Sequence, residues 1–114
     1  MFIVKKEVTF AAAHNLCLDY ESKCTHLHGH EWKVYISLSA KELDKNGMVI
    51  DFAKVKSFIN KNLDHKYLNE VLPFNPTAEN IAKYISDSLT DERVTCFEVE
   101  LYESHNNCVI YRRD

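Results

Sequence analysis

Apolar residues at the start of the chain fall on even numbers: Phe2, Val4, Val8, Phe10 and Ala12. Alternation of this kind has the period of a β-strand, and His14 continues the same parity. The pattern returns near residues 31–40, where Trp32, Val34, Ile36 and Leu38 are even again, and His28 and His30 extend it backwards. Both predicted strands therefore end in histidines on their apolar side. Residues 15–25 between them are polar and read as a loop. A short extended piece over 48–50 follows the Asn46-Gly47 turn signal.

Helical spacing then takes over. Phe52, Val55, Ile59 and Leu63 are three or four residues apart, and Asp51 stands where an N-cap belongs. Residues 72–76 hold both prolines and break the pattern. Thr77 is a second N-cap, followed by an apolar stripe of Ala78, Ile81, Ala82, Ile85 and Leu89. Alternation resumes at Phe97, Val99 and Leu101, and Glu103 extends that apolar parity. Residues 104–107 read as a turn and 108–112 as a last strand. The predicted order is β-β-α-α-β-β, an α+β domain with a four-stranded antiparallel sheet and two helices on one face. The other face must meet water or another subunit, which makes a homo-oligomer an expectation.

Composition narrows the function classes. A chain of 114 residues suits a single domain spanning 1–114, and 46% hydrophobic with 27% charged residues is ordinary globular composition. The net charge of −3 offers no basic surface for nucleic acid or an anionic membrane. The longest apolar run, residues 10–13, is far short of a membrane span. The first residues, MFIVKKEV, carry charges where a signal peptide would be apolar, so the expectation is a cytoplasmic protein. The four cysteines, Cys17, Cys24, Cys96 and Cys108, fit no C-x-x-C zinc pattern, and three of them are expected to pack as reduced thiols.

The strongest chemical signal is His14 with His28-Gly29-His30. Residues two apart on a strand share a side, so His28 and His30 can converge, and a neighbouring strand can bring His14 to them. Three imidazoles with an open fourth position make a typical catalytic zinc site. Gly29 is expected to allow close approach between the ligands. His26 shares the parity and is a rival ligand. Cys24 is either an ordinary loop thiol or a base or nucleophile with a lowered pKa beside the metal. Asp64-His65 is either a polar helix terminus or a proton-transfer pair. Glu103 is either solvated or a buried carboxylate awaiting an N–H partner. Thr77 caps its helix, and that helix N-terminus could also face a ligand. A metallohydrolase and a non-catalytic zinc-binding or ligand-binding module are the readings from other classes.

Six ordered blocks together resemble the 6-pyruvoyltetrahydropterin synthase family, and within it the 6-carboxytetrahydropterin synthase branch of queuosine biosynthesis. They are residues 10–14 (FAAAH), 23–30 (KCTHLHGH), 47–52 (GMVIDF), 63–69 (LDHKYLN), 76–80 (PTAEN) and the strand carrying Glu103. The resemblance implies the tunnelling fold (T-fold) and a hexamer of two trimers with active sites at subunit interfaces. It implies zinc on His14, His28 and His30, Cys24 as catalytic base and Asp64-His65 as proton relay. It also implies that Glu103 and Thr77 hold the pterin of 7,8-dihydroneopterin triphosphate. The spacing C-x-x-x-H-G-H resembles the carboxy-forming branch, whereas the animal pyruvoyl-forming enzymes carry two more residues there. Ala78 departs from those animal enzymes, which have a second threonine.

Overall fold

The computed structural model describes residues 1–114. Two long strands, β1 (Phe2–His14) and β2 (His28–Ala40), pair antiparallel along their whole length. Thirteen residues at about 3.3 Å each give roughly 43 Å, which accounts for most of the 50 Å long axis. After β2 come α1 (Phe52–Asn62), the two-residue strand β3 (Lys66–Tyr67), the single turn α2 (Leu68–Val71) and α3 (Ala78–Ser88). Then β4 (Thr95–Ser104) and β5 (Asn107–Arg112) complete a five-stranded sheet in the order β3-β1-β2-β4-β5.

The expected β-β-α-α-β-β framework is present, with one strand more than the sequence suggested. β3 lies on the free edge of β1 and runs parallel to it, pairing Lys66 with Ala12 and Tyr67 with Ala13. Two residues are too few to show any period, so the pattern could not reveal this strand. Residues 48–50 follow a turn at 45–46 and form bends instead of a strand. There Gly47 takes φ 81°, and the Asp44 carboxylate accepts from the N–H groups of Asn46 and Met48. No helix is long and apolar enough to cross a membrane.

The core lies between the sheet and the helices. Trp32, Val34, Ile36 and Leu38 of β2 are fully buried, as are Val55 and Ile59 of α1 and Ile81, Ala82 and Ile85 of α3. Both N-caps form as expected: Asp51 accepts from Ala53 N–H at 2.8 Å and Thr77 from Asn80 N–H at 3.1 Å. Phe52, assigned to the apolar stripe of α1, is instead 47% exposed, because the first residue of that helix projects beyond the sheet. Phe97 also leaves its expected place. The β2–β4 register shifts between Ser37 and Leu38, so Cys96 pairs with Leu38 and takes the buried position while Phe97 is only half-buried. Of the four thiols only Cys96 packs in the core, where burial pushes it up to about 11. Cys17 and Cys108 are exposed, contrary to expectation, since each sits beside or at the tip of a loop.

The opposite face of the sheet has no helix. It carries a shallow groove that includes Lys33, Tyr35 and Tyr102.

Core packing makes a direct stability prediction. Ile85→Ala should lower the unfolding free energy by about 2–5 kcal/mol. Lys56→Ala, on the exposed side of α1, should change it by no more than ~0.5 kcal/mol. Urea titrations with matched m-values check both.

Candidate metal centre

The β1–β2 register sets His14 opposite His28 and Ala12 opposite His30. Since His14, His28 and His30 share the apolar side, their rings meet at the end of the core. Ring centroids are 4.6 Å apart for His14 and His28, 5.3 Å for His14 and His30, and 4.8 Å for His28 and His30. Trp32 forms the floor, edge-on to His14 at 5.1 Å and to His30 at 5.5 Å. It is held by a parallel stack on Phe10 and by its indole N–H donating to the Ala12 carbonyl at 3.3 Å.

Backbone carbonyls choose the tautomers. His14 Nδ1–H donates to the Pro76 carbonyl at 2.8 Å, and His28 Nδ1–H to the His26 carbonyl at 2.7 Å. Each leaves Nε2 with a bare lone pair facing the cluster, the arrangement metal-binding histidines adopt. The Nε2 atoms of His14 and His30 are buried without a hydrogen-bond partner. An orphaned buried acceptor costs about 1–3 kcal/mol, and two of them aimed at one point fit a cation.

Glu103 joins this set. Its Oε1 lies 3.2 Å from His30 Nε2, and one donor atom from each of His14, His28, His30 and Glu103 lies within 4.8 Å of the others. The carboxylate gets there through a bulge. The β4–β5 register steps from Tyr102–Cys108 to Ser104–Asn107, leaving Glu103 without a partner on β5, and such an extra residue re-aims a side chain. Borderline imidazole donors suit zinc. Burial is the main cause holding both His14 and His30 below the ordinary imidazole value. For His14 the Pro76 hydrogen bond and Glu103 oppose it, and for His30 Glu103 opposes it.

The other candidates divide. Cys24, half-buried in a 3-10 turn over Lys23–Thr25, lines a small cavity with Lys23, His28 and His30. Thr77 is adjacent to Pro76, so the N-terminus of α3 approaches the same centre as His14. Asp64 and His65 do pair, Oδ2 to Nδ1 at 3.0 Å. Asp64 also accepts from Ala11 N–H at 2.9 Å, which is the chief cause holding its carboxyl below the usual range. His65 sits at φ 58°, rare for a residue with a side chain, and its N–H donates to the Ala11 carbonyl at 2.6 Å. This dyad occupies the β3 edge of β1, away from the strand carrying His28 and His30, and the His65 ring is 83% exposed.

Two expectations are corrected. His26 is not a rival ligand: it lies before β2 begins, its side chain is exposed, and it contributes its carbonyl to His28. Gly29 is not needed for close approach within the chain, since an added Cβ would meet only the Ala12 carbonyl at 3.9 Å. The sequence reading missed Trp32 and the Pro76 carbonyl. Trp32 looked like core, and a carbonyl leaves no mark in a sequence.

The family model described as 6-pyruvoyl tetrahydropterin synthase matches residues 3–114. The chain is 35% identical to a 6-carboxy-5,6,7,8-tetrahydropterin synthase of Synechocystis sp., covering 97% of this chain and 93% of that protein. It is 32% identical to the 6-pyruvoyl tetrahydrobiopterin synthase of Pongo abelii, covering 96% and 90%. The structure of Caenorhabditis elegans 6-pyruvoyl tetrahydropterin synthase superposes with a TM-score of 0.75 at 26% identity, covering 99% and 96%. The architecture is thus the tunnelling fold that the sequence blocks implied.

Two predictions follow from the centre itself. Purified protein should bind one zinc ion per chain, and alanine at His14, His28 or His30 should abolish that stoichiometry by elemental analysis. Saturating zinc a thousandfold above its dissociation constant should stabilise the fold by about 4 kcal/mol. In metal-free protein, His14 and His30 resist protonation more than they do unfolded. Their contribution is therefore full above about pH 6.5 and is lost as pH falls through the lowered folded values. Unfolding free energy should drop on acidification from pH 7.5 to 5, by at most ~1.4 kcal/mol per pH unit for each histidine, and His14→Asn should flatten the curve.

Proposed function

The chain belongs to the 6-pyruvoyl tetrahydropterin synthase family, and from that premise we propose that it is a zinc-dependent 6-carboxy-5,6,7,8-tetrahydropterin synthase. The substrate is 7,8-dihydroneopterin triphosphate, which together with water gives 6-carboxytetrahydropterin, acetaldehyde and triphosphate. The whole chain acts as one domain, in the cytoplasm, as a step of queuosine biosynthesis. The observation that supports the reading is the convergence of His14, His28, His30 and Glu103, with Cys24 lining a small cavity beside His28 and His30.

His14, His28 and His30 would hold a zinc ion, which would supply Lewis-acid stabilisation to the substrate. Glu103 is an acceptor for the N–H and amino edge of the pterin, a parallel pair of charge-assisted hydrogen bonds. Thr77 and the free N–H groups opening α3 provide further polar contacts to the ring. Cys24 takes a proton from the substrate side chain. His65, oriented by Asp64, gives or takes the second proton, and triphosphate leaves before carbon–carbon cleavage releases acetaldehyde. The exposed dyad on the β3 edge suits a site completed between subunits, so that His65 serves the metal centre of a neighbouring copy. Two trimers stacked as a hexamer would supply such interfaces.

Formation of 6-pyruvoyltetrahydropterin is the second reading, favoured by the similarity to the Pongo abelii protein. Mass spectrometry of products from zinc-loaded protein decides between them. Chelator-sensitive 6-carboxytetrahydropterin with acetaldehyde is the expected result. A pyruvoyl product would move the chain to the second reading, and untouched substrate would favour a binding module or a hydrolase. Cys24→Ala should abolish turnover with zinc retained. Mixing Cys24→Ala with His65→Ala protein should recover a fraction of wild-type activity if the dyad acts across subunits, and none if it acts within one chain.

A further inference from the structure

Residues 15–21 connect the first metal ligand to the turn that carries Cys24, yet they form no helix or strand. Their only main-chain hydrogen bond runs from Leu16 N–H to the Cys24 carbonyl, at 2.8 Å. Two asparagine side chains supply the rest. Asn69 accepts from Asn15 N–H at 2.9 Å and donates to the Asn15 carbonyl at 2.8 Å. Asn75 does the same for Cys17, accepting from its N–H at 2.9 Å and donating to its carbonyl at 3.0 Å.

The alternation gives this pattern a meaning. In an extended chain, successive residues turn their hydrogen-bonding groups to opposite sides. Asn15 and Cys17 face one side, where two amides imitate the peptide groups of a neighbouring strand. Leu16 faces the other side, where its N–H holds Cys24. The asparagines themselves are anchored. The Asn75 carbonyl accepts from Thr77 N–H at 2.8 Å and from the Asn80 side-chain amide at 2.9 Å. Tyr67 O–H donates to the Asn15 side chain at 2.6 Å. Asn75 also precedes Pro76, whose carbonyl orients the His14 ring. One short segment therefore sets both a metal ligand and the backbone that holds the thiol.

We propose that Asn69 and Asn75 are positioning residues that fix Cys24 relative to the histidine cluster by acting as a surrogate β-strand for residues 15–17. This rests on the reading of Cys24 as the base. Loss of either amide lets Leu16 and the Cys24 turn drift while His14, His28 and His30 stay in the sheet. A displacement near 1 Å at a reacting group costs about a hundredfold in rate, and loss of an orienting partner about 10–100-fold.

The test uses full-length, zinc-loaded Asn69→Ala and Asn75→Ala, with Asn75→Asp as the variant that keeps the Cys17 N–H acceptor and the side-chain shape. Both alanine variants should keep one zinc per chain and KM within about threefold of wild type, with kcat lowered about 10–100-fold. Asn75→Asp should fall between wild type and Asn75→Ala, and it carries the comparison if an alanine variant does not fold. Iodoacetamide modification of Cys24, followed by peptide mass spectrometry with Cys108 as internal reference, should be about fivefold faster or more in the alanine variants, because the half-buried thiol is released. Unchanged kcat, a raised KM at constant kcat, lost zinc in proportion to lost activity, or Cys24 labelling within about twofold of wild type would each overturn the proposal. If wild-type protein makes no pterin product, the functional reading fails alone, and the labelling rates still decide whether these amides hold Cys24.

Discussion

His14 faces His28 across β1 and β2, and this one cross-strand pair ties the core to the chemistry. Side chains alternate along a strand, so a slip of one residue between β1 and β2 would put His14 on one face of the sheet and His28 and His30 on the other. The register is held by the same parity that buries Phe10 and Ala12 on β1 and Trp32, Val34, Ile36 and Leu38 on β2. Packing the core and assembling the cluster are therefore one constraint. Trp32 expresses it most directly, since it stacks on Phe10 beneath and supports His14 and His30 above.

What the sequence disclosed follows from this coupling. Where a residue type was called for by a long period, the pattern was legible: β1, β2, α1 and α3 stand close to where alternation and helical spacing put them. The histidines were legible because they continued the apolar parity of two strands. The departures are local breaks in a period. A bulge near Phe97 transfers the buried place to Cys96, and another beside Glu103 frees that carboxylate from its ladder. Parity placed Glu103 near the core, but the bulge that frees it to meet His30 was not visible in it. β3 is too short to carry a period, and the left-handed backbone of His65 has no signature in a residue that is not glycine. Asn69 and Asn75 stayed hidden for a different reason. Their role lies in contacts to main chain more than fifty residues away, |i−j| of 54 for Asn69 and 58 for Asn75.

The cluster is built at an energetic cost that only a cation would offset. His14 is fully buried and neutral, with one nitrogen spent on the Pro76 carbonyl and the other unpaired. Each unsatisfied nitrogen withdraws about 1–3 kcal/mol from a fold whose net stability is of order 5–15 kcal/mol. An apolar residue in place of His14 would fill the same space without that loss. The core therefore tolerates His14 for what its lone pair can bind, whereas a histidine kept for packing alone would have both nitrogens satisfied or exposed. The Glu103 carboxylate at 3.2 Å favours the charged form of His30, but it gives the bare Nε2 no hydrogen bond. In that respect the imidazoles and the carboxylate are complementary to something absent from the protein itself. The thiol is held by different means. The histidines sit at the paired ends of two long inner strands, which deform little, while Cys24 hangs from a connecting segment with one main-chain bond of its own. A rigid cluster beside a separately anchored thiol allows the reach of that thiol to be adjusted without moving the histidines.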